Sequence, residues 1–396
     1  MQHRILVLGA GYAGAFAAGI LARRLSPGDA EITVVNAEPD FAERMRNHQL
    51  AAGREIKTRQ LADVFAGTGV RLRLARVTGV DPERGTVAVT DEDGDDELAY
   101  DTLLYTLGSA VADHGVPGVA EHAFNVAGRS SALRLREHLD GLAEEGNVLV
   151  VGEGLTGIEA ATEIADARPG LSVTLAARDE LGAWLSPKAR DHMRRAFDRL
   201  GITVHEHTSI EAVEPTRAIG ADGTSFPSEV TVWAAGFAVH PIAAASGLEV
   251  ADTGRIIVDG TMQSVSHPNV YAAGDSANAI SRNGQPLPMS CYSAGITAAQ
   301  ATGAIVGRLT GRRIPSTTLS YPGNCISLGQ RDAILQLLDS DERSKSWYMG
   351  GRKATRYKAG VLRSKLWSIS HPTYGMPKRR RRLATAPDLS TEKVTA

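Results

Sequence analysis

The chain has 396 residues, of which 43% are hydrophobic and 22% charged, a length that suits two or three domains and a composition able to fill packed cores. A net charge of −2 argues against nucleic acid as a partner. That average hides an asymmetry, because residues 343–383 hold thirteen Lys and Arg and no acidic residue, while residues 1–342 carry the acidic excess.

In chain order, the first unit reads as strand Arg4–Leu8, glycine-rich turn Gly9–Gly14, helix Ala15–Leu25 and strand Glu31–Val35. Val70–Val80 and Thr86–Val89 are rich in β-formers around Asp81-Pro82-Glu83-Arg84-Gly85 and predict a hairpin; Asp91–Glu97 is expected to be a solvated acidic tip. The opening pattern then returns as strand Asn147–Val151, turn Gly152–Gly157, helix Ile158–Ala167 and strand Ser172–Leu175. Thr203–His205, Val230–Ala234, Gly254–Asp259 and Asn269–Ala273 are further strands, followed by a helix over Ser293–Leu309. Residues from 316 to about 376 form a last unit, and residues 384–396 read as a disordered tail.

Two segments carry the chemistry. Gly9-Ala10-Gly11-Tyr12-Ala13-Gly14 gives a tight turn, close backbone approach to a pyrophosphate, and a helix N-terminus whose N–H groups and dipole favour phosphate. Gly152-Glu153-Gly154-Leu155-Thr156-Gly157 repeats it in the same strand–turn–helix setting. Two such cradles imply two dinucleotides, or one dinucleotide and FAD. Asn36 stands at the end of the second strand, where an acid usually binds the ribose; Glu38 lies two residues on.

With these two motifs in order, the chain resembles the two-dinucleotide-binding flavoprotein reductases. Tyr100–Ser109, containing Gly108, is similar to the family's return into the FAD domain, and Val232–Phe237, containing Gly236, to the return after the nicotinamide domain. Asn269-Val270-Tyr271-Ala272-Ala273-Gly274-Asp275 is similar to the motif in which the Asp bonds a ribityl hydroxyl. The implied fold is α/β: two Rossmann-like domains, for FAD (1–115 and 240–312) and for NAD(P) (116–239), plus a small α+β C-terminal unit at 313–383. Cys291 and Cys325 form no C-x-x-C, which removes the disulfide-reductase branches and fits a reducing cytoplasm; each reads as a small buried hydrophobe. Residues 152–165 and Pro322–Gly329 look most like type II NADH:quinone dehydrogenases and the quinone-reducing relatives of apoptosis-inducing factor.

The resemblance implies an FAD-dependent NAD(P)H dehydrogenase whose acceptor is a quinone or another small oxidant. The flavin carries the chemistry, and no side chain is assigned a catalytic role. A same-fold enzyme acting on a dedicated small molecule, and a flavin-based redox sensor, are the alternatives. Gly9, Gly11, Gly14, Asn36, Arg44, Gly108, Gly274, Asp275 and Ser293 are expected to bind FAD, and Gly152, Gly154, Gly157, Glu159, Arg178 and Gly236 the nicotinamide dinucleotide. Met289–Ala294 should bring backbone N–H groups to the flavin N1–C2 edge, with Ser290 or Ser293 also readable as a helix cap. Ala177 replaces the acid of NADH-preferring relatives and Arg178 can meet a 2′-phosphate, so a modest NADPH preference or weak discrimination is expected. Arg44–Gln49 should form a loop over the flavin and pyrophosphate. His48 there is either a structural histidine or a proton donor.

Arg352–Ile369 fits a helix with Ala354, Tyr357, Val361, Leu362, Leu366 and Ile369 on one half and Arg352, Arg356 and Arg363 opposite; Lys358 and Lys365 interrupt the apolar side. With Lys378–Arg382 beyond it, this segment reads either as a membrane-surface contact or as a helix packed on the FAD domain. No uncharged apolar run reaches 18 residues, so the expected location is cytoplasmic or peripheral on the inner face of the cell membrane, with a homodimer left open.

Overall fold

The computed structural model describes residues 2–314, 318–373 and 380–384. Two five-stranded parallel sheets organise it. The first runs, in spatial order, Val270–Ala272, Thr102–Tyr105, His3–Leu8, Ala30–Asn36 and Arg71–Leu74. The second runs Thr203–His205, Ser172–Ala176, Asn147–Val151, Val230–Trp233 and Ala123–Phe124. Parallel sheets need cover on both faces, and the central strands show it: Ile5 to Leu8 and Val148 to Val151 are all buried.

The helices that position the site are α1 (Tyr12–Arg24), α2 (Asn47–Ala51), α3 (Arg129–Asp140), α4 (Leu155–Ala167), α5 (Pro187–Arg199), α6 (Cys291–Leu309) and α7 (Gly351–Ser370). Small residues bring α1 and α6 together, with Ala15, Ala17 and Ala18 facing a core that holds Ala294, Ala298, Ala301 and Ala304. Pro187 begins α5 behind Ser186, and Ser290 caps α6 by accepting from the Ser293 N–H at 3.1 Å. By contrast, α1 and α4 start at Gly11 and Gly154 with no side-chain cap, which leaves their first N–H groups free for another acceptor.

Each unit also carries a three-stranded antiparallel meander. In the first, Arg76–Asp81, Thr86–Asp91 and Gly94–Ala99 pair in order. The expected single strand over 70–80 is therefore two: Arg71–Leu74 closes the parallel sheet, and Arg76–Asp81 turns into the meander. The acidic tip is solvated as expected, yet residues 94–99 form its third strand. The second meander is Ile210–Glu214, Arg217–Gly220 and Ser225–Pro227. An antiparallel ribbon of Ser109–Val111 with Phe237–Val239 links the units.

The cores draw on segments distant in sequence. Leu50, Ala51, Ala52 and Ile56, from the first segment, are buried in the core built on the second sheet. Asn47 fixes this crossing through a buried hydrogen bond from its side chain to the Val126 carbonyl at 3.0 Å. The C-terminal sheet Gly323–Ser327, Ala333–Leu338 and Ser344–Gly350 contributes Ile326, Leu328 and Ile334 to the same core, whereas Ile369 at the end of α7 joins the other.

Polar contacts lock that sheet in place. Gln336 is fully buried; its Oε1 accepts from the Ser186 hydroxyl at 2.8 Å and from the Ser186 N–H at 3.2 Å, and its Nε2 donates to the Lys345 carbonyl at 2.7 Å. Beside it, Asp332 bonds His192 at 2.9 Å and accepts from the Gly351 N–H at 3.1 Å. Replacing Gln336 by Leu keeps the volume and orphans the buried Ser186 and Lys345 groups, which costs about 2 kcal/mol. Denaturant unfolding of Gln336→Leu is expected to show that loss with an unchanged slope.

Candidate functional site

The two glycine turns obey the same constraints. A Cβ on Gly14 would sit 1.9 Å from the Gly9 carbonyl oxygen, and a Cβ on Gly157 would sit 1.9 Å from that of Gly152. Gly9 (φ +89°) and Gly152 (φ +119°) hold left-handed backbone, each with an added Cβ 2.5 Å from a carbonyl oxygen of the neighbouring strand's end. The middle glycines differ: nothing lies within 4 Å of a Cβ built on Gly11 or Gly154. Open space beside an uncapped helix N-terminus is what a pyrophosphate requires, and both turns provide it.

Around the first turn, Asn36 is already engaged. Its Oδ1 accepts from the Ala10 N–H at 2.8 Å and its Nδ2 donates to the Glu38 carbonyl at 2.7 Å, so it shapes the turn. Asp275 follows Gly274, whose N–H donates to Thr297 Oγ1 at 2.9 Å, tying the Asn269–Asp275 motif to α6. Ser109 Oγ donates to Asp275 Oδ2 at 2.7 Å. The Gly108 N–H donates to Ser276 Oγ at 3.0 Å. Arg44 joins them: Nη1 donates to the Ser109 carbonyl at 3.0 Å and lies 3.6 Å from Asp275 Oδ2, and the guanidinium stacks 4.4 Å over Phe237. Burial pulls the Arg44 pKa below its ordinary value, against the pull of Asp275. Its Nη2 is buried and has no protein partner. An orphaned guanidinium N–H is costly, and an acidic or carbonyl oxygen of a cofactor would relieve it. The residues therefore fit FAD.

Around the second turn, Gly236 holds left-handed backbone at φ +140°, and its carbonyl accepts from the Ala112 N–H at 3.1 Å. Arg178 is exposed, with Nε 3.5 Å from Asp179 Oδ2. Its N–H donates to Glu153 Oε2 at 3.1 Å. Ser293, expected to face FAD, lies in the first turn of α6 with its N–H on Ser290 Oγ.

A buried ionic cluster draws on all three units. Glu159 of α4 forms an ion pair with Lys358 of α7, both nearly buried. Glu159 Oε1 also accepts from the Ser327 N–H at 2.9 Å, and Lys358 Nζ donates to the Cys325 carbonyl at 3.3 Å. His48 of α2 has Nδ1 3.7 Å from Glu159 Oε2. Burial alone would push the Glu159 pKa up; Lys358, His48 and the Ser327 N–H together hold it below the ordinary carboxylate value. One turn on, Glu163 is wholly buried with Arg54 Nε 2.9 Å away but not aligned for a hydrogen bond, and burial raises its pKa.

Sequence reasoning placed Glu159 at the nicotinamide cleft and missed its counter-ion. Lys358 was expected to interrupt the apolar half of α7, and Tyr357 to lie on it. In the structure Lys358 turns inward and Tyr357 is exposed. A cation on an apolar helix face was the available signal. Cys325 and Cys291 are free thiols whose pKa values burial raises, Cys325 to about 11, so neither is an activated nucleophile.

His48 is fully buried, and burial lowers its pKa to about 4, only partly opposed by Glu159. It is neutral at pH 7, which disfavours the proton-donor reading, and its Nε2 has no protein partner. An unfolded histidine protonates near 6.5 while this one resists until about 4, so the unfolded state binds more protons in that window and stability falls as pH falls through it. His48→Gln is expected to flatten the pH dependence of the thermal midpoint between about pH 6.5 and 4.

Over residues 3–299 the chain matches the family described as pyridine nucleotide-disulphide oxidoreductase. It is 31% identical over 315 residues to an NADH dehydrogenase-like protein of Mycobacterium tuberculosis, covering 73% of this chain and 76% of the relative. It is 26% identical to the demethylphylloquinone reductase NdbB of Synechocystis over 84% of this chain and 86% of that protein. The structure of NDH2 from Plasmodium falciparum in complex with NADH aligns with a TM-score of 0.78 at 15% identity, covering 96% of this chain and all of that one. The expected α/β architecture of two Rossmann-like domains is thus borne out. The chain belongs to the pyridine nucleotide-disulphide oxidoreductase family and is an FAD-dependent NAD(P)H oxidoreductase.

Proposed function

We propose that this enzyme moves reducing equivalents from NAD(P)H through FAD to a quinone or quinone-like small acceptor, taken up in a cavity beside the buried Glu159–Lys358 pair. Bound FAD supplies the two-electron chemistry, which no side chain of the cluster can perform. Gly9, Gly11, Gly14, Arg44, Gly108, Gly274, Asp275 and the α6 entry at Ser293 would hold FAD. Asn36 assists by fixing the turn. Gly152, Gly154, Gly157, Gly236 and Arg178 would hold the nicotinamide dinucleotide, with Glu159 bordering it.

The observation that carries the acceptor is the cavity itself. It measures about 400 Å³ and is lined by residues of α2, of the C-terminal sheet and of α7, among them Gln49, Ser327, Lys358, Ala359, Leu362 and Leu366. Such a volume takes one small ring system. Lys358 lines this space, paired with Glu159, and would donate a hydrogen bond to a carbonyl oxygen of the acceptor. Arg46, Arg54 and Arg363 also line the space, and this cationic wall favours the second reading, a dedicated acceptor bearing an acidic group.

Trp347, Tyr357 and Trp367 are exposed on the same unit among Lys345, Lys353, Arg356 and Arg363. Interfacial aromatics beside cations suit the headgroup layer of an anionic membrane, so the C-terminal unit would rest on lipid while the cavity opens nearby. Among the described residues no helix is long and apolar enough to cross a membrane. Lys378 and Arg379 of the basic run lie outside the described residues.

Ala359→Trp should fill the cavity. Anaerobic stopped-flow is expected to show flavin reduction by NADH at the unaltered rate and reoxidation by a soluble quinone slowed at least about tenfold. Equal reoxidation rates would move the acceptor elsewhere. In co-sedimentation with anionic liposomes, a Trp347→Ser, Trp367→Ser double variant is expected to partition several-fold less than the native chain, and equal partition would remove the lipid contact.

A further inference from the structure

The two cradles differ in where a carboxylate stands. In a dinucleotide-binding βαβ unit, an acid at the end of the second strand binds the adenosine ribose of NAD. Register identifies that position in the second unit: Val151 pairs with Ala176, which sets Gly152 opposite Ala177, as Leu8 with Val35 sets Gly9 opposite Asn36. Ala177 is fully buried and apolar, and it offers the ribose nothing.

Glu153 reaches the same place from the other side. As the second residue of the glycine turn it folds across to the strand end, where its Oε2 accepts from the Arg178 N–H at 3.1 Å. In the first cradle the equivalent link runs in the opposite direction, from the Ala10 N–H on the turn to Asn36 Oδ1 on the strand end. The Glu153 side chain is only partly buried, and its Oε1 has no protein partner among the described residues. The open space beside Gly154 adjoins it. One carboxylate oxygen is thus anchored at the strand end, and the side chain is partly exposed beside the open glycine turn.

We infer that Glu153 is the specificity-determining residue for the nicotinamide dinucleotide, accepting from the adenosine ribose hydroxyls and repelling a 2′-phosphate. A carboxylate accepts from a hydroxyl and has no proton for a phosphate, so it separates the two ligands by sign of interaction. Arg178 works against it. Its guanidinium is 73% exposed and loosely held by Asp179, free to swing onto a 2′-phosphate. The balance of the two sets the preference, and the modest NADPH preference expected from Arg178 alone is countered by Glu153. This inference concerns the donor alone and holds whichever acceptor the enzyme serves.

Calorimetric titration of the holoenzyme with ADP-ribose and with 2′-phospho-ADP-ribose tests it without turnover. Glu153→Gln retains an oxygen for the Arg178 N–H and removes the charge. The expected result is weaker ADP-ribose binding, tighter binding of the phosphorylated ligand, and an affinity ratio moved at least about tenfold toward the phosphate. A ratio within about twofold of the native value, including equal losses for both ligands, would reduce Glu153 to a structural brace. Unchanged flavin absorbance reports that the variant is folded. Arg178→Ala provides an independent reading: with Glu153 unopposed, 2′-phospho-ADP-ribose should bind at least about tenfold more weakly than ADP-ribose, and equal affinities would overturn the assignment.

Discussion

The burial of Glu159 is the constraint around which the molecule is arranged. Removing a carboxylate from water costs several kcal/mol unless an opposite charge and hydrogen bonds replace the solvent. Here no single element supplies them. The cation comes from α7, an N–H from the strand Gly323–Ser327, and the neighbouring imidazole from α2. The last helix must therefore close against α4 for either ion to be tolerated. The same ion pair holds Lys358 at the edge of the cavity, so one interaction serves both assembly and the shape of that space.

Duplication explains the rest of the frame. Both cradles use a left-handed glycine, an open middle glycine and a third glycine pressed against the first one's carbonyl. Both helices begin without a side-chain cap, so the turn itself leaves their first N–H groups available. What distinguishes the copies is carried by single side chains. Asn36 braces one turn with an uncharged amide, and Glu153 braces the other with a charge. The Asp275–Ser109–Arg44 cluster belongs to the first cradle and ties it to the ribbon between the units.

Much of this was legible in the chain itself. Glycine spacing after a β-rich run is a local signal, dictated by backbone clashes a few residues apart, and both turns and their helices were read from it. The Asn269–Asp275 motif was read from resemblance to a family. Contacts fixed by tertiary packing were not. The inward turn of Lys358 depends on a carboxylate 199 residues earlier, and helix periodicity could only register it as an anomaly. The split of residues 70–80 between two sheets depends on which edge was vacant, a property of the assembled sheet. The apolar residues of α2 find their partners in the core built on the second sheet, a contact that local periodicity does not encode.

That crossing by α2 governs how the enzyme can move. Leu50, Ala51, Ala52 and Ile56 are rooted in the neighbouring unit's core, and Asn47 is bonded there. Swinging the two nucleotide-binding units apart would extract four apolar side chains into water and break a buried hydrogen bond. Large hinge opening is therefore an unfavourable way to admit or release ligands. The distance between the two glycine turns is as fixed as the interior that spans them.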